Sequence, residues 1–343
     1  MVRELGRRRL LIALAVVVVV VSAGGGGAVF ANASLSSKYS PGQAALDYFA
    51  AQQRGEAAGM VANATFLHDD SSSRFFDKTA VSAMLKTRDN TNLKNVKVLS
   101  TQGVDDNTSK VNVSMTWAGS SRTATYTVRR DKSQAHFLFF YSWRVDIPST
   151  TINITLPNQP GLVTVDGIIV SAKSVQAISG YHTVTMASSG LYDANLKLAS
   201  GVDGDANVTL DGNVSASAMT AAADSIKDTL NNHCDVAKYH DCPGHTYSAP
   251  NDGQIWYLQE PGYSEIDFKT YVFNFSSDPT AGMTMAVGTD AGQVTVSGTC
   301  SFTLTVDGSH TYAFTGTWTA SLTWSGSSFN QTKVNFDCAA AKA

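Results

Sequence analysis

The sequence predicts an α+β protein built in four parts. These are an N-terminal transmembrane helix, an α+β unit of helices followed by antiparallel strands, a small β-sandwich module and a C-terminal helix-plus-antiparallel-sheet domain. Three observations predict this. A basic head precedes a long uncharged apolar run at the N-terminus. Apolar residues recur at helical spacing after residue 40 and alternate from Val96 onward. Beyond Pro148, short alternating runs are separated by Asp-Gly and other turn signals, with one more helical stretch between Met219 and Leu230. The expected boundaries are 1–9 for a cytoplasmic basic head, 10–31 for the anchor and 32–39 for a linker. Residues 40–147 form the α+β unit, 148–213 the β-module and 214–343 the disulfide-containing domain.

In the head, Arg3, Arg7, Arg8 and Arg9 stand against Glu4, and no charge follows from Leu10 until Lys38. Spanning a membrane takes roughly 20 apolar residues, which Leu10 to Ala31 supply if the glycines stay helical. The arginines favour a cytoplasmic N-terminus and place the chain beyond about residue 34 outside. The expected location is therefore the cell membrane, single-pass, with the C-terminal region extracellular. A cleaved signal peptide is the rival reading, with Ala31-Asn32-Ala33 as the small-x-small site. In either case the body is exported. The net charge is −3, and the basic head makes the body more acidic than the whole, which argues against nucleic acid as a partner.

Ser40-Pro41-Gly42-Gln43 reads as a helix start: Ser40 caps, Pro41 suits the first helical position and Gln43 completes a capping box. Ala45, Leu46 and Phe49 give the apolar stripe, and Gly55 ends it. Ala58, Val61 and Ala62 suggest a second helix, and Val81, Met84 and Leu85 a third, beginning near Asp77. Val111, Val113, Met115 and Trp117 then alternate with polar residues. Tyr126 and Val128 follow, then the aromatic run from His136 to Tyr141, Trp143 and Val145. This order resembles the nuclear-transport-factor-2-like cone, in the form that precedes the catalytic part of methicillin-resistance-type penicillin-binding proteins. The residues that carry the likeness are Pro41 to Phe49, Gly55 to Ala58 and Trp143-Arg144-Val145. The resemblance covers about a third of the chain and implies no activity, since that fold hosts enzymes and inert spacers alike.

Pro148 and Pro157-Asn158-Gln159-Pro160 read as a linker. Leu162 to Val170 is strand, Asp166-Gly167 turn, strand. With Gly180-Tyr181 ahead of the next strand, this module resembles envelope modules of the PEGA type. In the last third, Met219, Ala222, Ala223, Ile226 and Leu230 share a helix face, and Asp307-Gly308 marks another hairpin. Cys234, Cys242, Cys300 and Cys338 are even in number in an exported chain, which reads as two disulfides; three pairings exist on paper. Cys300 shares strand parity with Phe302, Leu304 and Val306, and Cys338 with Val334 and Phe336, so both thiols face one core. Cys234 and Cys242 flank a short loop, and the expected pairs are 234 with 242 and 300 with 338. The succession of anchor, cone, β-module and helix, with Cys234 and Cys242-Pro243 after it, resembles actinobacterial single-pass envelope proteins. These in turn look like the extracytoplasmic part of teicoplanin-resistance-associated membrane proteins. The zinc ribbon that many of that group carry is missing from this sequence.

Candidate chemistry is sparse. His233, Cys234, His240, Cys242 and His245 could close a zinc site, but an exported chain oxidises neighbouring thiols, and the disulfide reading is preferred to metal. His68, Asp69 and Asp70 read as a solvated turn, and His136 as an ordinary strand residue without an acid-base partner. No Gly-x-Ser-x-Gly elbow or penicillin-binding motif set occurs. Trp256, Tyr257, Tyr263, Tyr271, Phe273, Phe275, Trp318 and Trp324 crowd the last domain, where they either fill a β-core or stack on sugar rings. The expectation is a non-catalytic binding, sensing or scaffolding protein of the bacterial cell envelope, with no cofactor. Its expected partners are the membrane, through the anchor, and cell-wall polymer or an envelope protein. The alternatives are an exported enzyme with its pocket in the cone, using His136 or Asp69, and a secreted adhesin or antigen.

Overall fold

The computed structural model describes residues 36–136, 140–232, 246–248 and 270–341. The chain divides into two compact units. Unit 1 comprises the chain up to Ile154 with Thr164–Val184 and Lys197–Val208. Unit 2 comprises Thr155–Val163, Thr185–Leu196 and the chain from Thr209 on.

Unit 1 opens with helix α1, Pro41–Arg54. Ser40 Oγ accepts from the Gln43 N–H at 3.1 Å, Pro41 occupies the first turn, and Gly55 closes the helix in the left-handed region at φ 70°. The reciprocal half of the capping box is replaced, because the Gln43 side chain donates to Asp47 Oδ1 instead. Helix α2 (Ala57–Asn63), strand β1 (Ala64–Leu67), a 3-10 turn (Asp70–Phe75) and helices α3 (Lys78–Met84) and α4 (Arg88–Thr91) follow. The Asp77 carboxylate caps α3 by accepting from Ala80 N. Four long strands come next: β2 (Leu93–Asp105), β3 (Thr108–Trp117), β4 (Ser120–His136) and β5 (Phe140–Thr155). They form one sheet in the order β1-β5-β4-β3-β2, and β8 (Ser174–Ile178) and β11 (Ala206–Thr209) also pair with β5. On β3 the alternation is strict: Val111, Val113, Met115 and Trp117 are buried, facing α1, whose Ala45, Tyr48 and Phe49 are buried in turn.

Strands β6 (Val163–Val165), β7 (Ile168–Val170), β9 (Tyr181–Met186) and β10 (Asn195–Ser200) make a four-stranded sheet in the order β10-β9-β6-β7. The β6–β7 hairpin turns on Asp166-Gly167, both at positive φ (50° and 80°), as a two-residue primed turn requires.

The predicted fold class is corrected by this architecture. The chain is mixed α+β with strand well in excess of helix. Among the described residues no helix is long and apolar enough to cross a membrane. The stretch expected to be the transmembrane helix, residues 10–31, lies outside them. Nor are residues 148–213 one separate module, since they are divided between the two units. Strand β5 runs through Pro148 without interruption and gives its far half, Ser149 to Asn153, to β8. The proline signalled a linker because it lacks an N–H. Here it lies opposite Leu67, where β5 changes partner, so the missing donor is tolerated.

In unit 2, helix α5 (Ala216–Asn232) is capped by Ser215, whose Oγ accepts from Ala218 N and donates to Gly190 O. It buries Ala218, Ala222, Ile226 and Leu230. Strands β12 (Thr246–Ser248), β13 (Thr270–Phe275), β15 (Gln293–Val306), β16 (His310–Trp324) and β17 (Phe329–Ala341) lie in that order, with β14 (Thr284–Val287) on β15. Trp318 lies opposite Gly298 and fills the space over it: a Cβ on Gly298 would come within 2.7 Å of the indole ring. The segment read as a free linker is fastened down. Gln159, at φ 54°, donates to Gly288 O and Gln293 O and accepts from Gly292 N, so its amide completes the β14–β15 turn.

Candidate functional site

The site arises where two strands of unit 1 separate. Strand β4 pairs with β5 only as far as Val128↔Val145, and β5 then continues against β1 and β8. Residues 120–127 of β4 remain paired with β3 alone. Between the separated strands lies a cavity of about 430 Å³, within the usual range for small-ligand sites. Helix α1 contributes Tyr48, Phe49 and Gln52; β3 contributes Met115 and Trp117; β4 contributes Arg122 to Thr127 and Arg129; and β5 contributes Asp146 and Ile147.

Two ion pairs set the electrostatics. Arg129 Nε donates to Asp146 Oδ2 at 2.7 Å, and Arg122 Nη1 donates to Asp203 Oδ1. The lining therefore carries two cations and two anions. The Asp146 hydrogen bond and charge hold the Arg129 guanidinium still more firmly protonated than usual. Asp146 is the unusual group, since its side chain is only 4% exposed. It also sits between Val145 and Ile147, both buried, and its Oδ1 has no partner among the described residues. Arg122 Nε is likewise buried without a partner. A buried polar atom left unpaired costs roughly 1–3 kcal/mol, so these two atoms mark where a ligand would contribute most. Burial pushes the Tyr126 phenol up to about 12 and raises that of Tyr48 further, so both remain protonated hydroxyls near neutral pH.

The residues singled out from the sequence lie elsewhere. Asp69 exchanges two hydrogen bonds with the Gln176 amide and is not part of the cavity lining. His68 stacks on Phe76 at 4.3 Å and turns Nδ1 to its neighbour's carbonyl. The side chains of Asp70 and His136 lie outside the described residues, as do those of His233, Cys234, His240, Cys242, His245 and Cys338. Among the described residues no group of three or more metal-ligating side chains occurs, and no cysteine is a free thiol; Cys300 is 1% exposed. Of the aromatic residues in the last domain, Trp318 is core, with its indole N–H donating to Pro279 O at 2.8 Å, and Trp324 packs on Phe329. Trp256, Tyr257 and Tyr263 lie outside the described residues, as do the side chains of Tyr271 and Phe273.

The cavity was missed because its polar residues look ordinary in sequence. Thr123, Thr125 and Thr127 read as the solvent face of a strand. The signal that was present is Val145-Asp146-Ile147, a carboxylate between two residues that both want a core. No family model, no curated protein and no solved structure matches this chain.

Proposed function

We propose that the protein is a non-catalytic binding or sensing component of the bacterial cell envelope, and that the unit 1 cavity is where it binds. Export rests on the arginine head and the uncharged run of residues 10–31, which serve for translocation and attachment at the membrane. The observation that carries the binding reading is the state of the cavity's carboxylates. Asp146 and Asp203 are each ion-paired with an arginine, and Asp146 Oδ1 and Arg122 Nε remain open to hydrogen-bond a ligand.

The test is capture from native envelope with the tagged full chain, against purified cell-wall polymer as competitor. Thr125→Trp, at an exposed lining position, should fill the cavity and abolish the specific capture without lowering the thermal midpoint. Turnover of cell-wall glycan or peptide by the wild type that Thr125→Trp removes would replace the binding reading with an enzymatic one.

A further inference from the structure

The edge of β4 inside the cavity has a direction and a period. The β3–β4 hairpin closes at Trp117↔Ser120 across Ala118-Gly119, both at positive φ (47° and 89°). In a two-residue hairpin the closing pair is hydrogen-bonded, and the ladder bonds then recur at every second residue. The even-numbered residues of β4 thus face β3, and the bond from Arg130 N to Asn107 O, at 2.9 Å, keeps the same phase. Thr123, Thr125 and Thr127 therefore turn their main-chain N–H and C=O groups to the side that β5 has left. Val128↔Val145 is a non-hydrogen-bonded pair, flanked by a bond from the Asp146 N–H to the Thr127 carbonyl. Among the described residues the open groups are therefore the N–H and C=O of Thr123 and Thr125 and the N–H of Thr127; Thr123 and Thr125 are exposed. Side chains that usually blunt an open edge are missing: Thr123 to Thr127 contains no Lys or Pro and is rich in strand-forming residues.

The geometry points to an extended peptide of about four residues as the ligand, added as a strand along β4 in the cavity; this rests on the cavity being the binding site. Thr123 and Thr125 offer two donor-acceptor pairs about 6.8 Å apart, the repeat of an extended main chain, and the Thr127 N–H adds a third donor. The open atoms at the flanks fit the same ligand. Asp146 Oδ1 accepts from a peptide N–H or N-terminal ammonium, and Arg122 Nε donates to a peptide carbonyl. Trp117 and Tyr126 supply apolar surface for side chains. With two arginines balanced by two aspartates, the lining suits a neutral main chain better than a phosphate or another anion. The cavity's volume of about 430 Å³ suits a short peptide.

The experiment titrates fluorescent, N-acetylated tetrapeptides into the full chain by polarisation, scanning N-methylation through each position. Weakening of at least tenfold at alternate positions, with little effect between them, is the expected result. Thr125→Pro removes one outward N–H and no ladder bond, and should lower affinity at least tenfold with an unchanged circular dichroism spectrum. Asp146→Asn provides a second readout that leaves the strand intact, and weakens binding least for peptides without a donor at the matching end. Binding indifferent to N-methylation, or binding of neutral saccharides in place of peptides, would overturn strand addition while leaving the cavity as the binding site. Concentration-dependent dimers lost in Thr125→Pro would assign the edge to a second copy of this chain. If envelope capture persists in Thr125→Trp and no peptide binds, the cavity itself is not the site.

Discussion

The interiors of the two units are stabilised by different means. Unit 1 buries a glutamine, an asparagine, an aspartate and a histidine, and ties each of them to the backbone or to an opposite charge. Asn90 is 0% exposed: its Nδ2 donates to Met84 O and Tyr181 O, and its Oδ1 accepts from Tyr181 N. Gln52 donates to the carbonyl of that same asparagine. His182 has Nδ1 at 2.6 Å from Asp166 Oδ2 and Nε2 at 2.7 Å from Ile178 O, so both ring nitrogens face acceptors. In unit 2 the buried polar side chains among the described residues are the hydroxyls of Ser215, Thr229 and Thr280, and the rest of its core is apolar, around Trp318, Val294, Val296 and Leu322. A polar interior is less forgiving, because each bond has one acceptable partner, whereas apolar packing can relax. The unit with the directional interior is also the one that holds a ligand-sized cavity open.

The largest expected effect would sharpen the contrast from unit 2. Its register sets Cys300 opposite Gly316 and Asp337 opposite Thr317, so Cys338 begins the bulged end of β17, two strands from Cys300 across a glycine. Peptide mapping without reductant should recover 300 joined to 338, and Cys338→Ser should cost up to about 3.9 kcal/mol, against about 2.6 for Cys242→Ser. A mapped 234–300 bridge would refute the pairing. Next comes Asn90→Leu in unit 1, which leaves three main-chain groups unpaired and should cost about 2–4 kcal/mol in urea unfolding. A loss below 1 kcal/mol would show that the polar interior is not what holds this unit. Gly298→Ala, driving a methyl into the Trp318 ring, should cost about 1–3 kcal/mol; no loss would mean that the indole moves aside.

The smallest effect is electrostatic. Asp278 lies in the Lys227 side chain's reach at 2.7 Å and also accepts from Thr280, which holds its carboxyl at about 2 against an ordinary 3.8. A depressed carboxyl stabilises the fold above about pH 4 and loses that contribution as pH falls through about 2. Both partners are more than two-fifths exposed, so the solvent-screened gain is under about 1 kcal/mol. The thermal midpoints of wild type and Asp278→Asn should therefore differ slightly at pH 5 and converge by pH 2. A constant gap would remove the ion pair from consideration.

Local chemistry made much of the fold legible. Ser40 and Gly55 bound a helix because capping needs a hydroxyl at one end and a left-handed residue at the other. The alternation on β3 and the two Asp-Gly turns were readable on similar grounds. What stayed hidden depends on partners distant in sequence. Pro148 and Gln159 looked like linker residues because their uses come from strand β1, 80 residues earlier, and from a turn about 130 residues later. The cavity was hidden for a related reason. Nothing within Thr123 to Thr127 reveals that β5 will leave β4 after Val145, and an open edge is a property of the neighbour that departs.

The parallel pairing of β1 with β5 has a consequence in time. Ala64 meets Val145, and Arg144 donates to the carbonyls of Val61 and Ala64; among the described residues β1 has no strand partner nearer in sequence. At roughly 5–20 residues per second of synthesis, β1 waits about 4–16 s for the strand that completes it. Throughout that interval Phe66 and its neighbours are an unmatched edge on a nascent chain. Maturation of unit 1 is therefore gated by the arrival of β5, and a chain halted before residue 145 would be a substrate for chaperones and proteases rather than a shorter folded protein.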